Sequence, residues 1–248
     1  MTKITTQNYW EEYYSNTQTQ RKNIEQVVSV YDKYWEVLIK SNNANPPKTI
    51  IEIGGYPGRY LAYLADKYHL TPTSLDFNSD KIKIEESMQA FNVKNFNIIQ
   101  ADIFNYEPEN KYDIVISNGF IEHFDNYNEV LDKHMLYLKK GGTMLIMIPN
   151  MKGYIKFYKS FVDKENLKTH TLKCMNFKVF KSFALRNNLK IFKCEYFGGF
   201  PFSVHQKLNL FQKIIYQFHR FLSKKLLNKF LINNPNILSS SIVVIFKN

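Results

Sequence analysis

The stretch Thr49-Ile50-Ile51-Glu52-Ile53-Gly54-Gly55-Tyr56-Pro57-Gly58-Arg59-Tyr60-Leu61-Ala62 constrains this 248-residue chain more than any other. An apolar run of strand length enters a glycine-rich turn and leaves in a helical pattern, so the spacing predicts strand, tight turn and helix. Glycines in such a turn let the backbone approach a ligand with no Cβ in the way. The helix that follows offers free N–H groups and the positive end of its dipole. About 20 residues further on, Thr73-Ser74-Leu75-Asp76-Phe77 reads as a second strand ending in an acid, the position from which a carboxylate can hold ribose hydroxyls.

The spacing separates two kinds of ligand. A dinucleotide fingerprint reads G-x-G-x-x-G, which Gly54-Gly55-Tyr56-Pro57-Gly58 does not match. The acid ahead of it, Glu52, would repel a pyrophosphate but suits a cationic ligand. On these residues the chain resembles the class I S-adenosylmethionine-dependent methyltransferases, whose first motif is an acid, one residue, then G-x-G-x-G. Tyr56 stands where that family has its middle glycine. Ile98-Ile99-Gln100-Ala101-Asp102-Ile103-Phe104 resembles the family's third strand and following acid. Tyr112-Asp113-Ile114-Val115-Ile116-Ser117-Asn118-Gly119-Phe120 resembles its fourth strand. Leu138-Lys139-Lys140-Gly141-Gly142 and then Thr143 to Pro149 are similar to its helix end, glycine turn and fifth strand.

The resemblance is close over residues 50–150 and looser beyond. It implies an α/β fold, a Rossmann-like seven-stranded class I methyltransferase sheet with helices on both faces and an inserted helical cap. It also implies S-adenosyl-L-methionine as cofactor. By resemblance, the cofactor contacts fall on Tyr14, Glu52, Gly54, Gly55, Tyr56, Gly58, Asp76, Phe77, Asp102, Ile103, Asn118 and Gly119. Asp102 would face the adenine amino group, and Asn118 and Gly119 the methionine end.

Length and composition fit one domain over residues 1–248. The expected layout is a helical lid (1–45), a cofactor-binding core (46–150) and acceptor-side cap segments (151–175 and 200–235). No apolar run approaches the ~20 residues of a membrane span, and the N-terminus has no signal-peptide core, so a cytoplasmic protein is expected. Cys174 and Cys194 show no C-x-x-C spacing and no histidine cluster is spaced for a metal, so no metal is expected.

Outside the core the reading branches. Tyr9, Trp10, Tyr13 and Tyr14 either fold over the ligand or pack a helix onto the sheet edge. A helix is expected near 176–189, a strand near 190–197 and a last strand over 240–246. Between those strands Leu208, Phe211, Ile215, Phe218, Leu222 and Leu226 recur at helical spacing, with Lys207, Lys213, His219, Arg220, Lys224, Lys225 and Lys229 on other faces. This basic helix over 207–229 reads first as a cap whose apolar face covers the acceptor pocket. It reads second as a peripheral membrane contact. Nucleic acid ranks last, although the formal charge is +11. Tyr9, Tyr154, Tyr158, His170 and His205 are the candidates for the acceptor, a small and anionic molecule.

A sulfonium methyl is already a good electrophile, so alignment alone can supply ~7–11 kcal/mol. A hydroxyl acceptor gains a further ~10²–10⁴ in rate from a general base. His123, in Ile121-Glu122-His123-Phe124 after the fourth strand, is the candidate base, with Glu122 orienting it or binding the acceptor. The alternative is that both are structural, capping the next helix. Ser117 to His123 resembles the ubiquinone-biosynthesis-like and polysaccharide-tailoring methyltransferases. The implied reaction is methyl transfer to an oxygen of a sugar, nucleotide-linked or phosphorylated metabolite. An RNA or protein methyltransferase using the basic face, or a catalytically silent partner subunit, stays open.

Overall fold

The computed structural model describes residues 4–15, 17–78 and 80–248. Three helices lead, α1 (Gln7–Tyr14), α2 (Arg21–Val28) and α3 (Asp32–Lys40). The core alternates β1 (Thr49–Ile53), α4 (Arg59–Tyr68), β2 (Thr71–Asp76), α5 (Ile82–Ala90), β3 (Asn97–Gln100), β4 (Tyr112–Asn118), α6 (Tyr127–His134) and β5 (Leu138–Pro149). There follow α7 (Tyr154–Val162), α8 (Lys164–Lys168), α9 (Phe177–Arg186), β6 (Lys190–Phe197), α10 (Leu210–Leu222), α11 (Asn228–Asn233) and β7 (Ser241–Lys247). The strands form one sheet in the order β3-β2-β1-β4-β5-β7-β6. The first five run parallel, and β7 lies antiparallel between β5 and β6. This is the expected α/β sheet.

The central strands are near-continuous apolar runs because helices cover both faces. Successive side chains alternate between two cores. Ile51, Ile53, Val115, Met144 and Ile146 face one, and Ile50, Ile114, Ile116, Leu145 and Met147 the other. Glu52 falls in register with the second set, which puts a carboxylate in an apolar layer.

That second layer corrects the boundary of the lid. Ile24, Val28, Tyr34, Trp35 and Leu38 are buried in it, and Trp35 Nε1 donates to Val28 O at 3.1 Å. Helices α2 and α3 are therefore core, and among the described residues of the expected lid Thr5, Thr6, Gln7, Trp10 and Tyr14 are those that border the cavity described below.

The expected glycine turn at 141–142 is also different. A single 3₁₀ turn, Met135–Tyr137, follows α6, and β5 starts at Leu138 and runs through both glycines. Gly141 has φ +75°, and a Cβ there would lie 2.5 Å from Asn43 Nδ2, so the strand bends around that side chain. The β4–β5 register shifts between Tyr112 and Ile114 in the same region.

Asp113 staples the opposite end of the sheet. Its Oδ2 accepts from the backbone N–H groups of Lys48 (2.9 Å) and Thr49 (3.0 Å) and from the Thr49 hydroxyl, and its Oδ1 from Lys139 Nζ at 2.8 Å. Burial alone would raise this carboxyl, but Lys139 and the two N–H groups hold it down to about 2.

The cap meets expectation only in part: Leu208 and Ile215 pack against the core, whereas Phe211, Phe218 and Leu226 of the same expected stripe are exposed. Leu210, Phe211, Ile214, Phe218 and Phe221 on α10 are 60–78 % exposed. Its inner face mixes Ile215 and Tyr216, packed against the core, with polar groups: His219 and, just past the helix, Ser223 are buried, and Gln212 Nε2 donates to Phe161 O at 2.7 Å. Among the described residues no helix is long and apolar enough to cross a membrane.

Candidate active site

Strand order reverses on either side of β1, and a cavity of about 360 Å³ opens at the carboxyl ends of β1, β2 and β4, where open α/β sheets hold ligands. Its floor carries Ile53, Gly54, Tyr56, Leu75, Asp76, Phe77, Asn78, Asn118 and Gly119. Ala101, Asp102 and Ile103 form one side, and Phe120, His123 and Phe124 another.

The glycine turn is shaped by contact. Gly54 has φ +73°, and a Cβ there would sit 2.3 Å from the Phe120 ring, so both conformation and space exclude a side chain. Tyr56, in place of the family's middle glycine, fits because its φ is not positive. Its N–H donates to Asp76 Oδ2 at 3.0 Å and its hydroxyl to Asp80 Oδ2 at 3.1 Å. Asp76 also accepts from Asn78 N at 2.7 Å, so one acid fixes the glycine turn and the turn after β2.

Behind the floor, Asn118 Nδ2 donates to Glu52 Oε1 at 2.7 Å. Glu52 Oε2, Asn118 Oδ1 and Arg59 Nε are buried without hydrogen-bond partners. Burial pushes the Glu52 carboxyl up to about 8, against the opposing pull of Asn118 and Arg59. Two orphaned acceptors and an orphaned cationic donor beside a side-chain-free turn fit a zwitterionic amino-acid moiety. Arg59 is the residue that the sequence reading passed over, although it directly follows the motif. Its guanidinium lies 5.8 Å from the Tyr14 ring centre.

Helix α1 straps the mouth. Thr5, Thr6, Gln7, Trp10 and Tyr14 line the cavity. The segment is tied at one end by Ile4 N donating to His123 O (3.0 Å) and at the other by Lys83 Nζ donating to Tyr14 O (2.5 Å) and Ser15 O (2.7 Å). Trp10 meets the His123 ring edge-on at 4.7 Å.

His123 is held by Thr169 O, 2.7 Å from Nδ1, and its Nε2 lies 3.8 Å from Glu122 Oε1. A carbonyl oxygen only accepts, so Nδ1 carries the proton and Nε2 the lone pair. Burial and the neighbouring His170 lower His123 to about 3, whereas burial raises Glu122 to about 8. The His170 ring lies 4.7 Å from that of His123.

The expected site residues therefore divide. Tyr14, Gly54, Tyr56, Asp76, Phe77, Asp102, Ile103, Asn118, Gly119 and His123 line the cavity. Glu52, Gly55 and Gly58 shape it from behind, and Glu122 and His170 stand behind His123. Tyr9 is not among the residues that line the cavity and stacks with Tyr13. His205 pairs with Asp163 at 2.9 Å and stacks with Tyr13. Tyr154 and Tyr158 are placed elsewhere. The Tyr154 hydroxyl meets His219 Nε2 at 2.7 Å, and that of Tyr158 donates to Phe202 O at 2.7 Å. Both belong to the seam between α7 and α10, where rings stack on His219, a residue to which the sequence reading gave no role.

A family model described as a methyltransferase domain matches residues 24–188. The chain belongs to this methyltransferase family. Its sheet has the class I methyltransferase fold. Malonyl-[acyl-carrier protein] O-methyltransferase of Bacillus cereus is 30 % identical over 128 residues, 49 % of this chain and 46 % of that protein. (S)-coclaurine N-methyltransferase of Thalictrum flavum subsp. glaucum is 27 % identical over 100 residues, 40 % of this chain and 28 % of that one. The matches span about half or less of the length of these relatives. A solved S-adenosylmethionine-dependent methyltransferase from Archaeoglobus fulgidus superposes with a TM-score of 0.57 over 97 % of this chain and 99 % of its own, at 18 % identity.

Proposed function

We propose that this methyltransferase acts on an oxygen of a small anionic acceptor, a sugar, nucleotide-linked or phosphorylated metabolite of the kind used in surface polysaccharide assembly, and does so in the cytoplasm. The observation that carries an oxygen acceptor is His123 at the cavity wall, grouped with Glu122 and His170. A hydroxyl must shed a proton as it is methylated, whereas a neutral amine attacks without help. The excess of cations over the whole chain favours an anionic acceptor, and two free cysteines accord with a reducing compartment.

When bound, the cofactor supplies an electrophilic methyl carbon on a sulfonium. The protein's own part is placement. Glu52 and Asn118 offer acceptors to an ammonium, Arg59 a donor to a carboxylate, and Asp76 its carboxylate oxygens to ribose hydroxyls. Ile103 and Phe77 supply apolar surface for a purine, and Trp10 and Tyr14 exclude water from the reacting atoms. His123 lines the cavity, and Thr169 holds it in the tautomer that leaves the Nε2 lone pair free of the proton.

The test is S-adenosylhomocysteine release over a panel of sugar phosphates, nucleotide sugars, short dicarboxylic acids and amines. Turnover on phosphorylated or sugar acceptors is the expected result. Activity confined to amines, RNA or protein would overturn the acceptor class and leave the methyltransferase assignment intact.

A further inference from the structure

Glu122, His123 and His170 come together although nothing in their sequence spacing groups them. One donor atom from each lies within 4.8 Å of the others. The backbone makes this grouping: Thr171 N donates to Glu122 O at 2.6 Å and Thr169 O accepts from His123 Nδ1, so the turn after α8 is clamped onto the turn after β4. His170 Nδ1 lies 2.7 Å from Asn166 O. Both imidazoles therefore spend their Nδ1–H on a backbone carbonyl and keep the Nε2 lone pair, which is how metal-binding histidines are commonly oriented. Glu122 is 1 % exposed, and its Oε2 has no hydrogen-bond partner. The nearby ammonium of Lys159 is already paired with Asp163 at 2.9 Å.

We propose that Glu122, His123 and His170 bind a divalent first-row transition cation of the zinc class. Two imidazole nitrogens and one carboxylate are a donor set of catalytic zinc sites, which keep a further position open. His123 also lines the cavity, so that position opens on the space proposed for the acceptor. The further claim that an acceptor oxygen occupies it rests on the oxygen-acceptor reading. On that reading the cation weakens the acceptor O–H bond, the proton leaves to solvent, and the freed oxygen pair forms the bond to the methyl carbon as its bond to sulfur breaks.

The experiment titrates the full chain, stripped with a chelator, with Co²⁺ and Zn²⁺, reading calorimetry and the visible absorption of Co²⁺. One equivalent with a tetrahedral or five-coordinate Co²⁺ spectrum is expected, with affinity falling at least tenfold in Glu122→Gln and in His170→Gln. S-adenosylhomocysteine binding measured in each variant guards against unfolding. Absence of a stoichiometric Co²⁺ or Zn²⁺ site in the wild type, or equal binding by both folded variants, overturns the metal site and leaves the acceptor class untouched. Metal binding without turnover on any oxygen acceptor overturns the acceptor reading alone.

A second observation stands independently. The exposed face of α10 carries Leu210, Phe211, Ile214, Phe218 and Phe221, while Lys213 and Lys224 flank it and Lys225 lies within it. An isologous dimer through this face would bring the cations of both copies into one interface with no acid of the α10 stripe to pair them. An apolar stripe edged by cations instead matches an anionic lipid surface. We infer that α10 lies in the headgroup layer of anionic membranes. Co-sedimentation with phosphatidylglycerol-containing vesicles, against pure phosphatidylcholine, tests it. Selective binding that weakens with salt and falls at least tenfold in F211S/F218S/F221S is expected. No binding to anionic vesicles overturns the inference, as does a concentration-dependent dimer that the triple substitution abolishes.

Discussion

The carboxyl end of the sheet and the α7–α10 seam treat their polar side chains in opposite ways. At the sheet end, polar atoms are buried and left without partners: Glu52 Oε2, Asn118 Oδ1 and Arg59 Nε. At the seam, the Tyr154, Tyr158 and His219 side chains satisfy one another or the backbone, and apolar rings are left in solvent instead. Buried orphans point to a ligand that completes them, whereas exposed rings point to a surface that covers them. A tyrosine near a site in sequence is thus no guide to its role until its hydroxyl partner is known.

The contrast is broken most directly at Gly54. Gly54→Val requires an unfavourable φ and a Cβ within the Phe120 ring. Calorimetry should show S-adenosylhomocysteine affinity reduced at least 100-fold, about 2.7 kcal/mol, with the melting temperature also lowered. Retained binding would mean that the turn is not the ligand cradle.

Asp76→Ala should come next, at roughly 10- to 100-fold in the same titration. It removes both the acceptor from Tyr56 N and the oxygens assigned to ribose.

A structural control lies at the far end of the sheet. Asp113→Asn should destabilise the fold by about 1–3 kcal/mol at pH 7 by weakening a buried, multiply bonded carboxylate. The folded pKa of about 2 is below the unfolded value near 3.9. The stabilisation is therefore complete above about pH 5 and disappears as pH falls toward 2. The difference in melting temperature between variant and wild type should shrink over that window, and ligand affinity at pH 7 should stay near wild type.

Glu52 gives a sharper test of its orphaned oxygen. Its carboxyl, raised to about 8, holds a proton near pH 7. A cation bound beside it lowers that pKa, so S-adenosylmethionine binding should release a fraction of a proton, up to about one. Binding enthalpies in buffers of different ionisation heat would show it, and Glu52→Gln should abolish the release. The smallest effect belongs to the seam: Tyr154→Phe loses one half-exposed hydrogen bond, about 0.5–1.5 kcal/mol by thermal melt, with unchanged cofactor affinity.

Legibility in the sequence followed the range of the contacts involved. The β1 turn, the acid of β2, the acid after β3 and the end of β4 were readable as cavity-lining positions because each lies at a strand end or in the few residues after it. The parallel order of the sheet then brings those ends together. Arg59 directly follows the motif but gains a role only from the burial of its Nε, which no local pattern marks. His170 and Glu122 lie 48 positions apart in the numbering, and their meeting depends on the Thr171–Glu122 clamp. The split of the α10 stripe, Ile215 inward and Phe211 and Phe218 outward, has a related cause. Its pattern shows that an apolar stripe exists, and only its anchoring through His219 and Gln212 decides which way the stripe faces.

By itself the sequence determined the α/β sheet, the turn that admits a ligand and the family to which the chain belongs, since those rest on local geometry and on the alternation of side chains along strands. Tertiary structure alone decided that α2 and α3 are core, that α1 straps the cavity, that two histidines and a glutamate converge and that the cap turns its rings outward. Each of these depends on which distant surface a segment buries, a competition among long-range contacts that no short window of residues encodes.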